Sequence, residues 1–200
     1  MNRQKNPTET RKTILQAAFE RTHKYGFQAA GLNEILMTTG VTKGALYHHF
    51  PNKMALGYAL VDEMLRGYVD DWWLGPMEAA DDPIEAFAQL IQTRMSSDLP
   101  NIVRLGCPLN NLSQEMSAVD EGFRQRIEAI FRHWRKGLAR AFRRGQQNGS
   151  VRGDVDSEET AAFVIASLMG AFGQAKSAQS IEVFQACLGG LSVYLTALRP

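Results

Sequence analysis

The chain has 200 residues, 44% of them hydrophobic and 22% charged, with 22 Lys and Arg against 21 Asp and Glu. No apolar run approaches the roughly 18 residues of a membrane span, and the N-terminal MNRQKNPTETRK contains no hydrophobic signal segment. Two cysteines 80 positions apart, Cys107 and Cys187, make no disulfide framework, so a cytoplasmic, reducing setting is expected.

The pattern predicts helices almost throughout, about nine in all, and no segment alternates with the period of a strand. Thr8 or Thr10 is the expected cap of a first helix carrying Ile14, Leu15, Ala18 and Phe19, which Gly26 ends. A short stripe of Leu32, Ile35 and Leu36 stops at Gly40. Thr42 then caps a third helix, Pro51 closes it, and Asn52 caps a fourth that runs from Lys53 to about Trp73. Pro83 opens the next helix, to about Ser97. The stretch DLPNIVRLGCPLNNLSQEMS, broken by Pro100 and Pro108, is expected to be less regular. Ser117 with Asp120 resembles a capping box for a helix of about thirty residues that stops at Asn148-Gly149. Asp156 and Ser180 begin the last two. The fold class is all-α.

Charge is unevenly spread. Residues 1–55 hold eight Lys and Arg against three acids, whereas the other 145 hold fourteen against eighteen. A basic head that meets a polyanion and an acidic body that does not is the expected arrangement. Within the head, two short helices joined at TTGVTKG, with Gly in the turn, have the form of a helix-turn-helix. Thr42 and the free amides of the second helix start favour phosphate, and Lys43 adds charge. Gly44 and Ala45 allow close backbone approach, while Tyr47, His48 and Lys53 are expected on flanking phosphates. His49 is assigned either to a phosphate contact or to packing beside Phe50. Adjacent histidines cannot point the same way on a helix, so a metal site is not expected. No nucleophile and base pair or Gly-rich phosphate loop suggests an enzyme, and no cofactor is expected.

The run GVTKGALYHHFPNKMAL, with KYGF ending the first helix, resembles the tetracycline-repressor (TetR) family from about Thr10 to Leu60. That resemblance implies a one-component transcriptional regulator whose dimer binds a near-palindromic double-stranded DNA operator and is released by a small molecule in the body. It divides the chain into a DNA-binding domain, residues 1–52, and a ligand-binding and dimerisation domain, residues 53–200. One departure is Ala30-Gly31, where members commonly have Thr-Ser or Thr-Thr; a phosphate-bonding hydroxyl is lost there, and Gln28 or Asn33 is the candidate substitute. An activator would share this head, and an architectural DNA binder would need the head without so large a body.

In the body, Ala161, Ala162, Gly170, Gly173, Gly189 and Gly190 leave room for close helix approach. The resemblance implies a homodimer through these last two helices. The bulk of Trp72, Phe87, Met95, Phe131, Trp134 and Phe172 is expected partly as core and collectively as lining for an apolar ligand pocket, with Asn110, Asn111 and Gln114 as its polar groups. Gly106-Cys107, followed later by Gln174-Ala175-Lys176, resembles the thiol-sensing subset of the family typified by the N-ethylmaleimide-reductase repressor. That likeness makes an electrophile a candidate effector, with the Lys176 ammonium lowering the Cys107 pKa; the alternative is that Cys107 is a buried apolar side chain.

Overall fold

The computed structural model describes residues 6–95 and 98–200, and of residues 94 and 95 the backbone only. The Met95 side chain, expected in the pocket, thus lies outside what is described. Among the described residues there are helices and turns and no strand. In chain order they are α1 (Pro7–Tyr25), α2 (Leu32–Thr39), α3 (Lys43–His49), α4 (residues 53–78), α5 (residues 83–95), α6 (Leu99–Leu105), α7 (Pro108–Met116), α8 (Glu121–Asn148), α9 (Ser157–Ala178) and α10 (Ile181–Thr196).

Most of the boundaries follow from local chemistry. The Thr42 hydroxyl accepts the Ala45 N–H at 3.2 Å, and Asn52 accepts that of Ala55 at 2.8 Å. Asp156 takes two amides at the start of α9, and Ser180 takes the Val183 N–H. Gly40 and Gly149 leave their helices at positive φ, as expected of residues without a Cβ.

Three expectations are corrected. The first helix is capped by Asn6, whose side chain accepts from Thr8 N–H at 3.1 Å; Pro7, which lacks an N–H, fills the first helical position and pushes the start upstream of Thr8. The stretch around Cys107 is not irregular. Pro100 and Pro108 stand in the first turns of α6 and α7 and Gly106, at φ 72°, separates them, so each proline opens a helix rather than breaking one. Ser117 makes no capping box: its hydroxyl lies 3.5 Å from that of Ser113, and Asp120 alone caps α8 through the Phe123 N–H at 2.8 Å.

The chain forms two compact units. Among the described residues, one comprises residues 6–67 and 111–128, the other residues 68–95, 98–110 and 129–200, so packing divides the chain elsewhere than at residue 52. In the first unit Ile14, Leu15, Ala18, Phe27, Ile35, Leu46, Phe50, Leu56, Leu60 and Phe123 are buried. Full burial of such a side chain contributes about 1.5–3 kcal/mol. Phe27 and Phe123 meet edge to face, with centroids 4.8 Å apart. Gly57 permits this, because a Cβ there would come within 2.6 Å of both rings. Arg11 ties α1 to α4 through both Glu63 oxygens, at 2.5 and 2.6 Å, and lies 5.1 Å over the Phe50 ring.

The second unit is organised around Trp73. Its ring centroid is 5.1 Å from Trp134, 6.4 Å from Phe172 and 6.5 Å from Phe87. α4 continues past the expected end at Trp73 to residue 78, and Leu60–Leu65 and Asp70–Leu74 within it are π-helical. Wider turns suit its repeated spacing of four, Val61, Leu65, Val69 and Trp73, all of them buried.

Candidate nucleic-acid interface and body core

α2 and α3 carry the residues expected to read a groove. Thr42, Lys43, Gly44, Tyr47 and His48 are exposed, Ala45 is half-buried, and Leu46 beneath them is fully buried. The helix is therefore anchored on one face and open on the other. Lys43 and Tyr47 line a surface groove of about 450 Å³ together with Ala29, Gly31, Leu32, Asn33 and Glu34. Asn33 is exposed in the first turn of α2. Gly31 caps that helix, and its N–H is taken by Glu34 at 3.1 Å, with Arg21 on the same carboxylate at 2.5 Å. Two positively charged or aromatic groups and an amide thus share one concavity with a helix start.

The two histidines are distinct. His48 is exposed, while His49 is half-buried with its ring 6.4 Å from that of Phe50. Lys53, expected on a phosphate, already has partners within the protein. Its Nζ donates to the Gln28 carbonyl at 2.9 Å and sits 5.1 Å over the Phe27 ring. Burial pushes its pKa below the usual lysine value, partly offset by Glu115 and Glu34. Among the described residues no group of three or more His, Cys, Asp and Glu is placed to hold a metal ion.

In the second unit Cys107 is 1% exposed. Its thiol lies beside the backbone N–H groups of Leu109 and Asn110 at the start of α7 and beside the Tyr68 hydroxyl, yet burial outweighs them and pushes its pKa up to about 11. The lowering expected from Lys176 does not occur, since Lys176 is exposed and it is the preceding Ala175 that points into the core. Trp134 and Phe172 are buried in the aromatic cluster. Phe87 is packed there too, Phe131 is half-buried and stacked on Trp134 at 6.5 Å, and Trp72 leans on Tyr68 at 5.9 Å. Asn110 belongs to this unit, whereas Asn111 and Gln114 belong to the first and Gln114 is exposed. Among the described residues, neither the Trp73 indole N–H, close to the Tyr68 hydroxyl, nor that of Trp134 reaches an acceptor in hydrogen-bonding geometry. Tyr68 was missing from the expected pocket; α4 carries both Tyr58 and Tyr68, and nothing in the pattern signals that the Tyr68 hydroxyl faces inward.

A basic helix-turn-helix joined to an aromatic-cored helical body defines a class of bacterial gene regulators. Residues 14–60 match the family Bacterial regulatory proteins, tetR family, and residues 83–188 match Tetracyclin repressor-like, C-terminal domain. The chain belongs to the TetR family and is a DNA-binding transcriptional regulator. Transcriptional regulator AcuR of Cereibacter sphaeroides is 29% identical over 152 residues, 74% of this chain and 68% of that protein. HTH-type transcriptional repressor DhaR of a Mycobacterium is 25% identical over 193 residues, 96% and 94% of the two. Reduced NemR of E. coli superposes with TM-score 0.78 at 25% identity, covering 94% of this chain and 96% of that one. A regulatory protein TetR from Rhodobacter sphaeroides gives 0.82 at 24% identity, covering 92% and 97%, which speaks for the fold alone.

Proposed function

We propose that this regulator is a homodimeric repressor, non-enzymatic and cytoplasmic, that is released from its operator by a small molecule. The observation that carries the DNA-reading part is the exposed edge of Thr42, Lys43, Gly44, Ala45, Tyr47 and His48 beside Asn33, anchored by the buried Leu46. Residues 1–52, together with Lys53, supply the contacts, and the rest of residues 53–200 the effector site and dimer surface. His49 contributes through its half-buried ring. Lys53 uses one of its three donors on Gln28, leaving two for a phosphate. Repression rather than activation is supported by the similarity to DhaR, a repressor by name.

The dimer surface is supported by α9 and α10. Phe163 is 49% exposed and Val193 72% exposed, and an added Cβ at Gly170, Gly173, Gly189 or Gly190 would meet nothing within 4 Å. An apolar, small-residue face of this kind suits a second copy related by a two-fold axis. For the effector, the buried and protonated Cys107 favours a non-reactive molecule over an electrophile, and the indole N–H donors of Trp73 and Trp134 suit one carrying a hydrogen-bond acceptor.

The test is selection of bound duplexes from a random DNA pool. A near-palindromic consensus is expected, and recovery of no sequence above the unselected pool would refute operator recognition.

A further inference from the structure

α1 ends at Gly26, which adopts φ 85° and ψ 157° and donates to Thr22 O at 2.8 Å. The chain then turns sharply, Ala30 N–H returning to Gly26 O at 3.1 Å, and enters α2 at Gly31. The amides of Phe27 and Gln28, having left α1, find no acceptor in the helix. Both are taken by Glu115, near the far end of α7: Phe27 N–H by Oε2 and Gln28 N–H by Oε1, each at 2.8 Å. Only glycine fits at position 26, because a Cβ would stand 3.1 Å from the same carboxylate and the φ is positive. In the next peptide, the Lys53 ammonium donates to the Gln28 carbonyl at 2.9 Å. Gln28 is thus bracketed by an anion on the N–H of the peptide before it and a cation on the C=O of the peptide after it, both within the first compact unit.

We infer that Glu115 is a positioning residue for operator binding. Its carboxylate fixes the turn from which α2 departs, and so aims Asn33 and the groove shared with Lys43 and Tyr47. Charge-assisted hydrogen bonds from two successive amides to one carboxylate restrain the peptide plane as well as its position. Glu115 makes this contribution while itself repelling DNA, which separates positioning from simple electrostatics. The inference rests on the DNA-binding reading above.

The test compares wild-type chain with Glu115→Gln and Glu115→Asp. Binding is measured to the duplex that the wild-type chain recovers from a random pool and to an unrelated duplex of equal length. Gln removes a negative charge but turns an NH₂ toward one of the two amides; Asp keeps the charge and withdraws the oxygens by one methylene. Both variants are expected to lose about tenfold or more in affinity for the selected duplex, with binding to the unrelated duplex changed less than about twofold. Glu115→Gln binding the selected duplex as tightly as wild type, or more tightly, overturns the inference, since that is what charge removal alone does. Should both variants fail to fold, amide hydrogen exchange in the wild-type chain decides: Phe27 and Gln28 must exchange slowly beside a fast Ala29, and rapid exchange at both overturns the clasp. A wild-type chain that selects no duplex counts against DNA reading instead, and the exchange measurement still judges the clasp.

Discussion

At the scale of single residues, the structure separates side chains that look alike in sequence. Lys43 is exposed on the reading edge, whereas Lys53 spends one donor inside the protein. Cys107 is 1% exposed and Cys187 half-exposed. With a pKa near 11 against an ordinary 9.0, the Cys107 thiolate is about a hundredfold scarcer at pH 7 in the folded chain than in the unfolded one. In a Cys187→Ser background, iodoacetamide should therefore modify native Cys107 at least about a hundredfold more slowly than denatured chain. The sign also fixes a stability effect. The folded state disfavours the thiolate, so the contribution of this group is complete below pH 9 and is lost as pH rises through about 11. Equal labelling rates in native and denatured chain would show that the thiol is not held as described.

At the scale of elements, helix starts were legible because Thr42, Asn52, Asp156 and Ser180 each precede an apolar periodic run, and side-chain acceptors there satisfy otherwise orphaned amides. The helices α6 and α7 were not legible as such, since Pro100 and Pro108 signal interruption and initiation with the same residue. The partnership of Glu115 with Phe27 and Gln28 crosses 87 or more positions, and no local pattern encodes it. Lys176 illustrates a one-residue limit: its neighbour Ala175 is fully buried and it is not. The cap of α8 offers a direct check. Asp120 accepts both the Phe123 N–H at 2.8 Å and the Tyr58 hydroxyl at 2.9 Å, and with the latter bond raises the Tyr58 pKa. Asp120→Ala should lower stability by about 1–2 kcal/mol, read by denaturant titration at pH 7, and a loss below a few tenths would mean the cap is replaced by water at no cost.

At the scale of the whole molecule, the basic excess of residues 1–55 and the acidic excess of the rest were visible from composition and agree with a DNA-binding regulator. The proposed dimer surface was legible only as a cluster of small residues, which close packing inside one chain would equally explain; the exposure of Phe163 and Val193 favours a second copy. Val193→Glu places a charge in that face and should shift the chain from dimer to monomer by light scattering, with operator affinity falling because two half-sites are no longer engaged together. An unchanged dimer would locate the interface elsewhere.

The central claim, that the head binds DNA through the Thr42 to Lys53 edge of both subunits, is tested most directly by titrating the selected duplex between 50 and 200 mM salt. On the proposed reading Lys43, Tyr47, His48 and Lys53 of two subunits meet phosphates, and the four lysines among them release counterions, so log affinity should fall against log salt with a slope of about −3.6, about two decades over that range. A flat response, or a slope near that of one or two contacts, would contradict the assignment of these residues to the DNA backbone.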